Sequence, residues 1–262
     1  MRDKKKKAAH PVYTSILLLL CAVAAVTAVT IAWLSIADST RVRSMNLDVT
    51  SGVSLRFDLD PHATFDEYIQ TLTFPQIAAR LQQDKGFSME QTPLEPVTTS
   101  NFTEFTLENG TVVSSQSGAY LEFELNFMAS RDMIVHLSSA NGANGQNGTV
   151  VSSDNAALPQ AMRISFTVDG TTSIYDPGMG QGSTDYKGGK FFGLPSTGMV
   201  YGDDNALFSL KEGVNKTALV HVWLEGTDEA CTDALKGADY SISLRFEGTD
   251  ENNQLFEEAE ER

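Results

Sequence analysis

Apolar and polar residues alternate along four segments of the chain, which is the pattern of β-strands with one buried and one wet face. Two further segments are apolar on both faces, as is typical of strands in the middle of a sheet. The alternating segments are 52–57, 120–127, 163–168 and 241–246, and the fully apolar ones are 133–137 and 218–224. Because one-sided strands need a covering layer, we predict a mostly β protein built as an antiparallel, jelly-roll-like β-sandwich.

Helical signals are confined to one short stretch, residues 62–85. Thr64 and Glu67 have the spacing of a capping box. Pro75 suits the first turn of a second helix, and Gly86 suits its end. We therefore predict a small helical insertion that caps one end of the sandwich.

The remaining stretches of this region are predicted to be loops and a tail. Residues 170–205 contain nine glycines. Such a length is unusual for a connection without structure, so we expect an extra ribbon or hairpin around 190–192 or 199–201. Residues 247–262 are rich in acidic side chains and are predicted to form a solvated tail. The sandwich domain is accordingly expected to span 38–246.

The N-terminus has the features of an export signal. Residues 1–12 are basic, and they precede 22 uncharged residues, Tyr13–Leu34. This order keeps the N-terminus inside the cell and places the rest of the chain outside. The length favours a transmembrane helix over 13–35, whereas small residues suit a signal peptidase that cleaves after Ala32 or Ala37. Both outcomes stay open: the protein is anchored at the outer face of the plasma membrane, or it is released to the cell surface.

Charge and cysteine content exclude several function classes. The chain has 19 Lys and Arg residues against 34 Asp and Glu residues, and five of the cations lie within residues 1–7. The exported part is therefore strongly acidic and would repel phosphates, so we expect no binding of nucleic acid. Cys21 and Cys231 are the two cysteines and cannot build a disulfide framework. The role of Cys231 stays open.

No catalytic motif is found in the sequence. The histidines of the exported part are His62, His136 and His221, and they form no HExxH pair; a GxSxG elbow is also missing. His136 and His221 stand within apolar strand segments, where a neutral, packed imidazole is the usual outcome. We therefore predict that the protein is not an enzyme and needs no cofactor.

Two kinds of ligand are considered for the glycine-rich region. Asp203, Asp204 and Asn205 offer oxygen atoms to a structural calcium ion, which takes about six to eight oxygen ligands. Aromatic rings in the same region could stack on sugar rings, which supports an alternative function as an anchored surface module that binds carbohydrate or another ligand. These aromatic candidates are Tyr175, Tyr186, Phe191, Phe192 and Tyr201.

The junction between the apolar segment and the first strand resembles a known family. Residues 30–40 read TIAWLSIADST, and MNLDV follows at 45–49. This junction is similar to that of exported Gram-positive proteins of the TasA and camelysin type, and 161–168 and 220–231 resemble segments of exported proteins of Firmicutes. The resemblance implies a jelly-roll ectodomain that forms extracellular matrix fibres when a strand of one subunit completes the sheet of the next. It gives no residues on which to place the proteolysis ascribed to camelysin.

The resemblance also implies which segment is donated. That segment is Trp33–Val49, with Leu47 and Val49 as inward-facing anchors. A sheet edge presents unpaired backbone groups, and an extended segment of another chain can satisfy them. We therefore expect a non-enzymatic cell-surface or biofilm-matrix protein that acts through protein–protein contacts. Its expected partners are the membrane, through the N-terminal helix, and further copies of itself in a homo-oligomer or fibre.

Overall fold

The chain divides into two compact units, Met1–Asp38 and Ser39–Arg262. The computed structural model describes residues 16–21, 41–49, 54–139, 148–178, 189–195 and 198–256, with the backbone alone for 41–49. Residues 16–21 are helical, and none of the helices in the described ranges is both long and apolar enough to span a bilayer. The rest of the segment expected to form a helix over 13–35 lies outside the described residues, as do both cleavage positions, Ala32 and Ala37.

The second unit is mostly β, as predicted. Its strands are β1 (Arg41–Val49), β2 (Leu55–Asp58), β3 (Thr71–Leu72), β4 (Pro96–Thr98), β5 (Phe105–Leu107), β6 (Val112–Val113), β7 (Leu121–Ala129), β8 (Met133–Leu137), β9 (Val150–Ser153), β10 (Met162–Val168), β11 (Thr171–Tyr175), β12 (Gly189–Phe192), β13 (Ala206–Leu210), β14 (Lys216–Glu225) and β15 (Asp239–Thr249). The helices are α1 (Phe74–Lys85) and the one-turn α2 (Leu158–Ala161), with 3-10 turns at Phe65–Glu67, Ser115–Ser117 and Asp233–Leu235. The six segments singled out by their hydrophobic pattern correspond to β2, β7, β8, β10, β14 and β15.

The strands form two mixed sheets. In the six-stranded sheet, β15 pairs with β1 on one side and with β8 and β9 on the other, while β3 lies beyond β1 and β13 beyond β8. In the nine-stranded sheet, β14 pairs with β10 on one side and with β7 and β4 on the other. Beyond these strands lie β11 and β12, β2, and β5 with β6. The purely antiparallel expectation is corrected, because β1–β15, β11–β12 and β14–β4 are parallel pairs.

One hydrophobic core contains buried side chains from both sheets. Phe246 of β15 meets Phe166 of β10 and Phe127 of β7, with ring centroids 5.6 and 5.0 Å apart. Both contacts are edge-to-face, the arrangement that the aromatic quadrupole favours. The two sheets are therefore joined by direct side-chain packing between β15 and the middle of the nine-stranded sheet.

A second, smaller hydrophobic cluster lies on the other side of the nine-stranded sheet. Val222 and Leu224 of β14 belong to the main core, whereas Trp223 between them belongs to this second cluster. The ring of Trp223 packs against Phe105 of β5 at 5.6 Å, and Phe105 stacks on Tyr120 at 4.0 Å. The segment that carries β4, β5 and β6 therefore covers a face of the sheet that the alternation of apolar and polar residues predicts to be exposed to solvent.

The predicted helical insertion is present, with one change. Helix α1 begins after Thr73, has Pro75 in its first turn and ends at Gly86, whose φ is 84°. Thr64 and Glu67 do form a capping box, but the box opens only the 3-10 turn Phe65–Glu67. The chain leaves this turn in an extended conformation and enters the short strand β3, so the insertion is less helical than expected.

The described part of the glycine-rich region 170–205 contains two strands, β11 and β12. It begins with β11, which is paired with β10 along its length. Strand β12 is found near the expected 190–192, whereas 199–201 forms no strand. Because β12 is parallel to β11, these two strands do not form the expected hairpin.

The predicted acidic tail starts later than 247. Strand β15 continues to Thr249, which is fully buried. After a turn, Leu255 forms a bridge with Thr249, and Phe256 lies beneath the guanidinium of Arg131 at 4.7 Å. Residues up to 256 thus fold back on the domain, and residues 257–262 lie outside the described part of the chain.

Candidate functional site

Strand β1 follows directly after the boundary between the two units and completes the six-stranded sheet. It runs parallel to β15 from Arg41 to Val49 and pairs with β3 at Leu47 and Asp48. The donor segment Trp33–Val49 expected from the sequence therefore includes one strand of this sheet. The first part of that segment, residues 33–40, lies outside the described residues.

The apolar positions of β1 stand opposite buried residues of β15. The register pairs are Val42–Tyr240, Met45–Ile242, Leu47–Leu244 and Val49–Phe246. All four β15 partners are at most 1% exposed and belong to the main core. Since register partners share one face of a sheet, these four positions of β1 belong to the core side. Both anchors named from the sequence, Leu47 and Val49, are among them.

The polar positions of β1 align with polar residues of β15 on the opposite face. The pairs are Arg41–Asp239, Ser44–Ser241, Asn46–Ser243 and Asp48–Arg245. The first and last pairs join opposite charges, and they lie near the two ends of the ladder. The β1–β15 ladder thus combines an apolar face with a charge-matched polar face.

A β-bulge makes this two-faced register complete. The register shifts between Val42 and Ser44, so that Arg43 is the extra residue. The extra residue brings Val42 onto the same face as Met45, although the two are three positions apart. Reasoning from the sequence missed Val42 and Met45 as anchors because strict alternation excludes that spacing. The pattern that could have identified them is an apolar spacing of three residues, from Val42 to Met45, followed by spacings of two residues to Leu47 and Val49.

Two of the three residues considered for calcium, Asn205 and Asp203, have hydrogen-bond partners within the protein. Asn205 Oδ1 accepts hydrogen bonds from His136 Nδ1 at 2.9 Å and from the Gly202 amide at 3.1 Å. The ammonium of Lys190 donates to the Asp203 carbonyl beside the carboxylates of this turn. Across the described ranges, no three His, Cys, Asp or Glu side chains form a group suited to a metal ion. Asp203, Asp204 and Asn205 lie in a turn held by hydrogen bonds, and their assignment to calcium stays a prediction.

His136 of β8 is the centre of that contact. Its side chain is fully buried, and Nε2 lies 3.1 Å from Thr249 Oγ1. Burial lowers the pKa of His136, while the hydrogen bond with Asn205 acts in the opposite direction. The imidazole is therefore neutral at pH 7, with Nδ1–H donating to Asn205. Tyr201 covers the ring at a centroid distance of 5.1 Å.

The aromatic candidates do not form one stacking surface. Tyr175 and Phe192 are buried in the main core, with ring centroids 5.9 Å apart. Their assignment to ligand stacking is corrected, because neither ring presents a face to solvent. Tyr201 is half-buried against a histidine, Phe191 on β12 is 40% exposed, and Tyr186 lies outside the described residues.

A fully buried ion cluster holds two loops against β10. Arg163 Nη1 lies 3.2 Å from Asp176 Oδ1, and Nη2 donates to the carboxylate of Asp228. Arg163 also donates to the carbonyl of Gln160 at 2.6 Å. Nearby, burial raises the pKa of Cys231 to about 11, so its thiol is protonated at neutral pH. The cluster therefore pairs one buried guanidinium with two buried carboxylates, and the nearby thiol is not an activated thiolate.

A second polar cluster joins α1 to the nine-stranded sheet. Glu122 of β7 receives hydrogen bonds from His221 Nε2 at 3.1 Å and from Lys85 Nζ at 2.6 Å. The hydrogen bond from His221 and that from Lys85 lower the pKa of Glu122 to about 2. Lys85 Nζ also lies 3.2 Å from Ser115 Oγ, but an ammonium paired with Glu122 cannot accept the serine proton. The cluster is an ion-pair link between α1 and β7.

Comparison with known proteins assigns this chain to no family. No protein-family model matches it, no curated protein matches it, and no solved structure matches it. Among the features described above, the β1–β15 ladder combines three properties. Strand β1 follows the N-terminal unit in the chain, and its register with β15 has one apolar and one polar face. Its backbone hydrogen bonds to β15 are ones that the same strand of another copy can also make.

Proposed function

We propose that this protein is an exported cell-surface or extracellular-matrix component with a jelly-roll-like β-sandwich. It is held at the membrane by its N-terminal apolar segment or released from it, and it acts through protein–protein contacts by strand exchange. The observation that carries the proposal is the pairing of β1 with β15 along its length, next to the boundary with the N-terminal unit.

Strand β1 is the strand of the sheet that is most easily exchanged. It is the first strand of the domain, so it can leave the sheet without drawing another strand of the domain through a loop. An identical strand from a second copy would restore the same hydrogen bonds and the same four apolar pairs with β15. Exchange of identical strands between copies therefore changes the free energy little. The protein concentration then determines whether β1 pairs within its own chain or with another copy.

A sheet that has lost β1 would expose unpaired backbone groups and apolar side chains, and both favour the addition of a replacement strand. The backbone groups of β15 that face β1 along Asp239–Phe246 would lose their partners, as would those of β3 that face β1 at Thr71 and Leu72. The buried side chains of β15, including Leu244 and Phe246, would lose their apolar neighbours. Unpaired edges with an apolar face are the usual templates for strand addition.

Truncation with complementation tests this proposal. We expect residues 39–262 to form filaments or concentration-dependent oligomers in light scattering and negative-stain microscopy. Residues 50–262 should not self-assemble, and should bind a synthetic peptide of residues 39–50. A peptide with Leu47→Asp is the matched control and should bind more weakly, because it places a charge opposite Leu244 and Leu72. Fibres formed by residues 50–262 alone, or a strict monomer of 39–262, would contradict strand exchange.

The ligand-binding alternative is not proposed for the glycine-rich region. Two of its five aromatic candidates, Tyr175 and Phe192, are core residues. A stacking platform needs several exposed rings on one surface, and the described rings are divided between the core, a histidine contact and the edge strand β12.

A further inference from the structure

This inference rests on the proposed function. We propose that the opposite charges of the pairs Arg41–Asp239 and Asp48–Arg245 select the strand with which β1 pairs, and we call these two pairs the charge code. The partner is a second copy of this chain. The code sets both the register and the parallel direction in which β1 of one copy enters the sheet of the next.

The apolar face of β1 cannot set the register by itself. Because side chains alternate with a period of two, a shift by two residues keeps apolar positions on the core side. Leu47 would then stand opposite Phe246 or Ile242 instead of Leu244, and all of these are apolar. Register must therefore be specified by the other face of the strand.

The polar face penalises the shifted registers. In the observed register, Asp48 stands opposite Arg245. A shift by two toward the C-terminal end of β15 would move Asp48 opposite Glu247, which pairs like charges. A shift in the other direction would place Asp48 opposite Ser243 and would remove both charge pairs. Only the observed register places both Arg41 and Asp48 opposite a residue of opposite charge.

The same charges specify direction. Antiparallel pairing is intrinsically slightly more stable than parallel pairing, so a parallel exchange needs a reason. A reversed β1 would bring its Arg41 end to Arg245 and its Asp48 end to Asp239. Like charges opposite each other in a sheet are destabilising, and here they would occur at both ends. Arg245 is only 6% exposed, so solvent screens repulsion at that end weakly.

Charge also favours this chain as its own partner. The chain carries a formal net charge of −15, whereas β1 itself has two arginines, Arg41 and Arg43, and one aspartate. A weakly cationic strand therefore enters an acidic acceptor. Other acidic sheets would attract such a strand, but they would lack the cation opposite Asp48.

Reciprocal charge reversal in the full chain, solubilised in mild detergent, tests this inference. The variants are Asp48→Arg, Arg245→Asp, the double variant in one chain, and a 1:1 mixture of the two single variants. Reversal turns attraction into repulsion both within one chain and between copies of the same variant, so each single variant should have a lower free energy of unfolding. The double variant should recover that free energy and assemble as the unmodified chain does. The mixture should assemble at about tenfold lower protein concentration than either single variant alone, because each strand then finds a matched acceptor only in the other chain.

Matched controls separate the code from net charge. Asp132→Arg and Lys211→Asp make the same charge changes at an exposed ion pair outside the ladder and should assemble normally. Single variants of the ladder that behave like these controls, or a double variant that fails to recover, would overturn the charge code. If Arg245→Asp does not fold, Arg41→Asp with Asp239→Arg repeats the test where the acceptor residue is only partly buried.

The mixture distinguishes failure of the code from failure of strand exchange. Suppose the double variant recovers the unfolding free energy of the unmodified chain, whereas the mixture of single variants assembles no better than either variant alone. The charge code then holds within one chain, and exchange between copies is excluded. Recovery in the mixture requires strands to pass between copies and therefore supports both proposals.

Discussion

The guanidinium of Arg163 and the carboxylate of Asp176 lie 3.2 Å apart, and neither side chain is more than 1% exposed. Asp228, equally buried, binds the same guanidinium. One cation thus serves two carboxylates, which come from the loops that follow β11 and β14. The arrangement makes Arg163 the residue on which both loops depend.

Replacement of Arg163 by Leu should destabilise the domain strongly. The change leaves two buried carboxylates without their cation, and breaking a buried ion pair in this way costs about 3–5 kcal/mol. Urea unfolding followed by circular dichroism measures the loss. Lys211→Leu is the control, because it breaks an exposed pair with Asp132 and should cost less than about 1 kcal/mol. Equal losses in the two variants would argue against a structural role for the buried cluster.

Gly118→Ala should destabilise the domain more than Gly110→Ala. Both glycines have positive φ, 76° and 79°, so an alanine is strained at either position, by about 1–2 kcal/mol. A Cβ at Gly118 would also lie 2.3 Å from Thr92 Cγ2, whereas at Gly110 nothing lies within 4 Å. The steric contact should add about 1–3 kcal/mol in thermal or urea unfolding.

A second substitution checks the steric origin of that difference. Thr92→Ser removes the methyl group that the new Cβ would meet. Combined with Gly118→Ala, it should recover part of the difference from Gly110→Ala, because Phe87 Cδ2 and Thr92 Cβ would still lie 3.2 Å from the new Cβ. If the double variant is as unstable as Gly118→Ala alone, the contact with Thr92 is not the cause.

Acidification should weaken the domain through His136. Its folded-state pKa is lowered from the usual 6.5, chiefly by burial. The stability that this neutral ring contributes is therefore complete above pH 6.5, and it is lost as the pH falls below 6.5 through the folded-state pKa. The ring proton resonances of His136 in NMR should titrate below pH 6.5. The unfolding free energy should fall more between pH 7 and pH 5 in the unmodified chain than in His136→Gln. A titration midpoint at or above 6.5 would contradict this account.

The hydrophobic pattern predicted six of the described strands, and the capping signals predicted helix α1, but neither indicated what covers them. The alternation in 163–168 places Arg163 and Ser165 on a wet face, yet both are fully buried. Arg163 is covered by the loops that follow β11 and β14, whose Asp176 and Asp228 bind its guanidinium, and its register partner Trp223 packs against Phe105 of β5. A short segment that folds over a sheet depends on contacts between distant residues, which a periodic pattern along one strand does not contain.

The candidate site was predictable in part for the same reason. The role of Leu47 and Val49 as anchors stays a prediction, and the register places their positions opposite Leu244 and Phe246 of β15. Val42 and Met45 depend on a bulge at Arg43, and the pairing of Asp48 with Arg245 depends on which strand lies next to β1. Neighbour and direction are properties of the whole sheet, so they became visible only in three dimensions.

The pairing of β1 with β15 also imposes an order of events on synthesis and export. Arg41 and Asp239 are about two hundred residues apart in the chain, so their ladder has nearly the longest loop to close in the domain. The first strand to leave the ribosome therefore waits until almost the entire chain has followed it. Throughout that interval β1 lacks its β15 partner. It can therefore pair with the first β15 that is complete, whether that strand belongs to its own chain or to another copy.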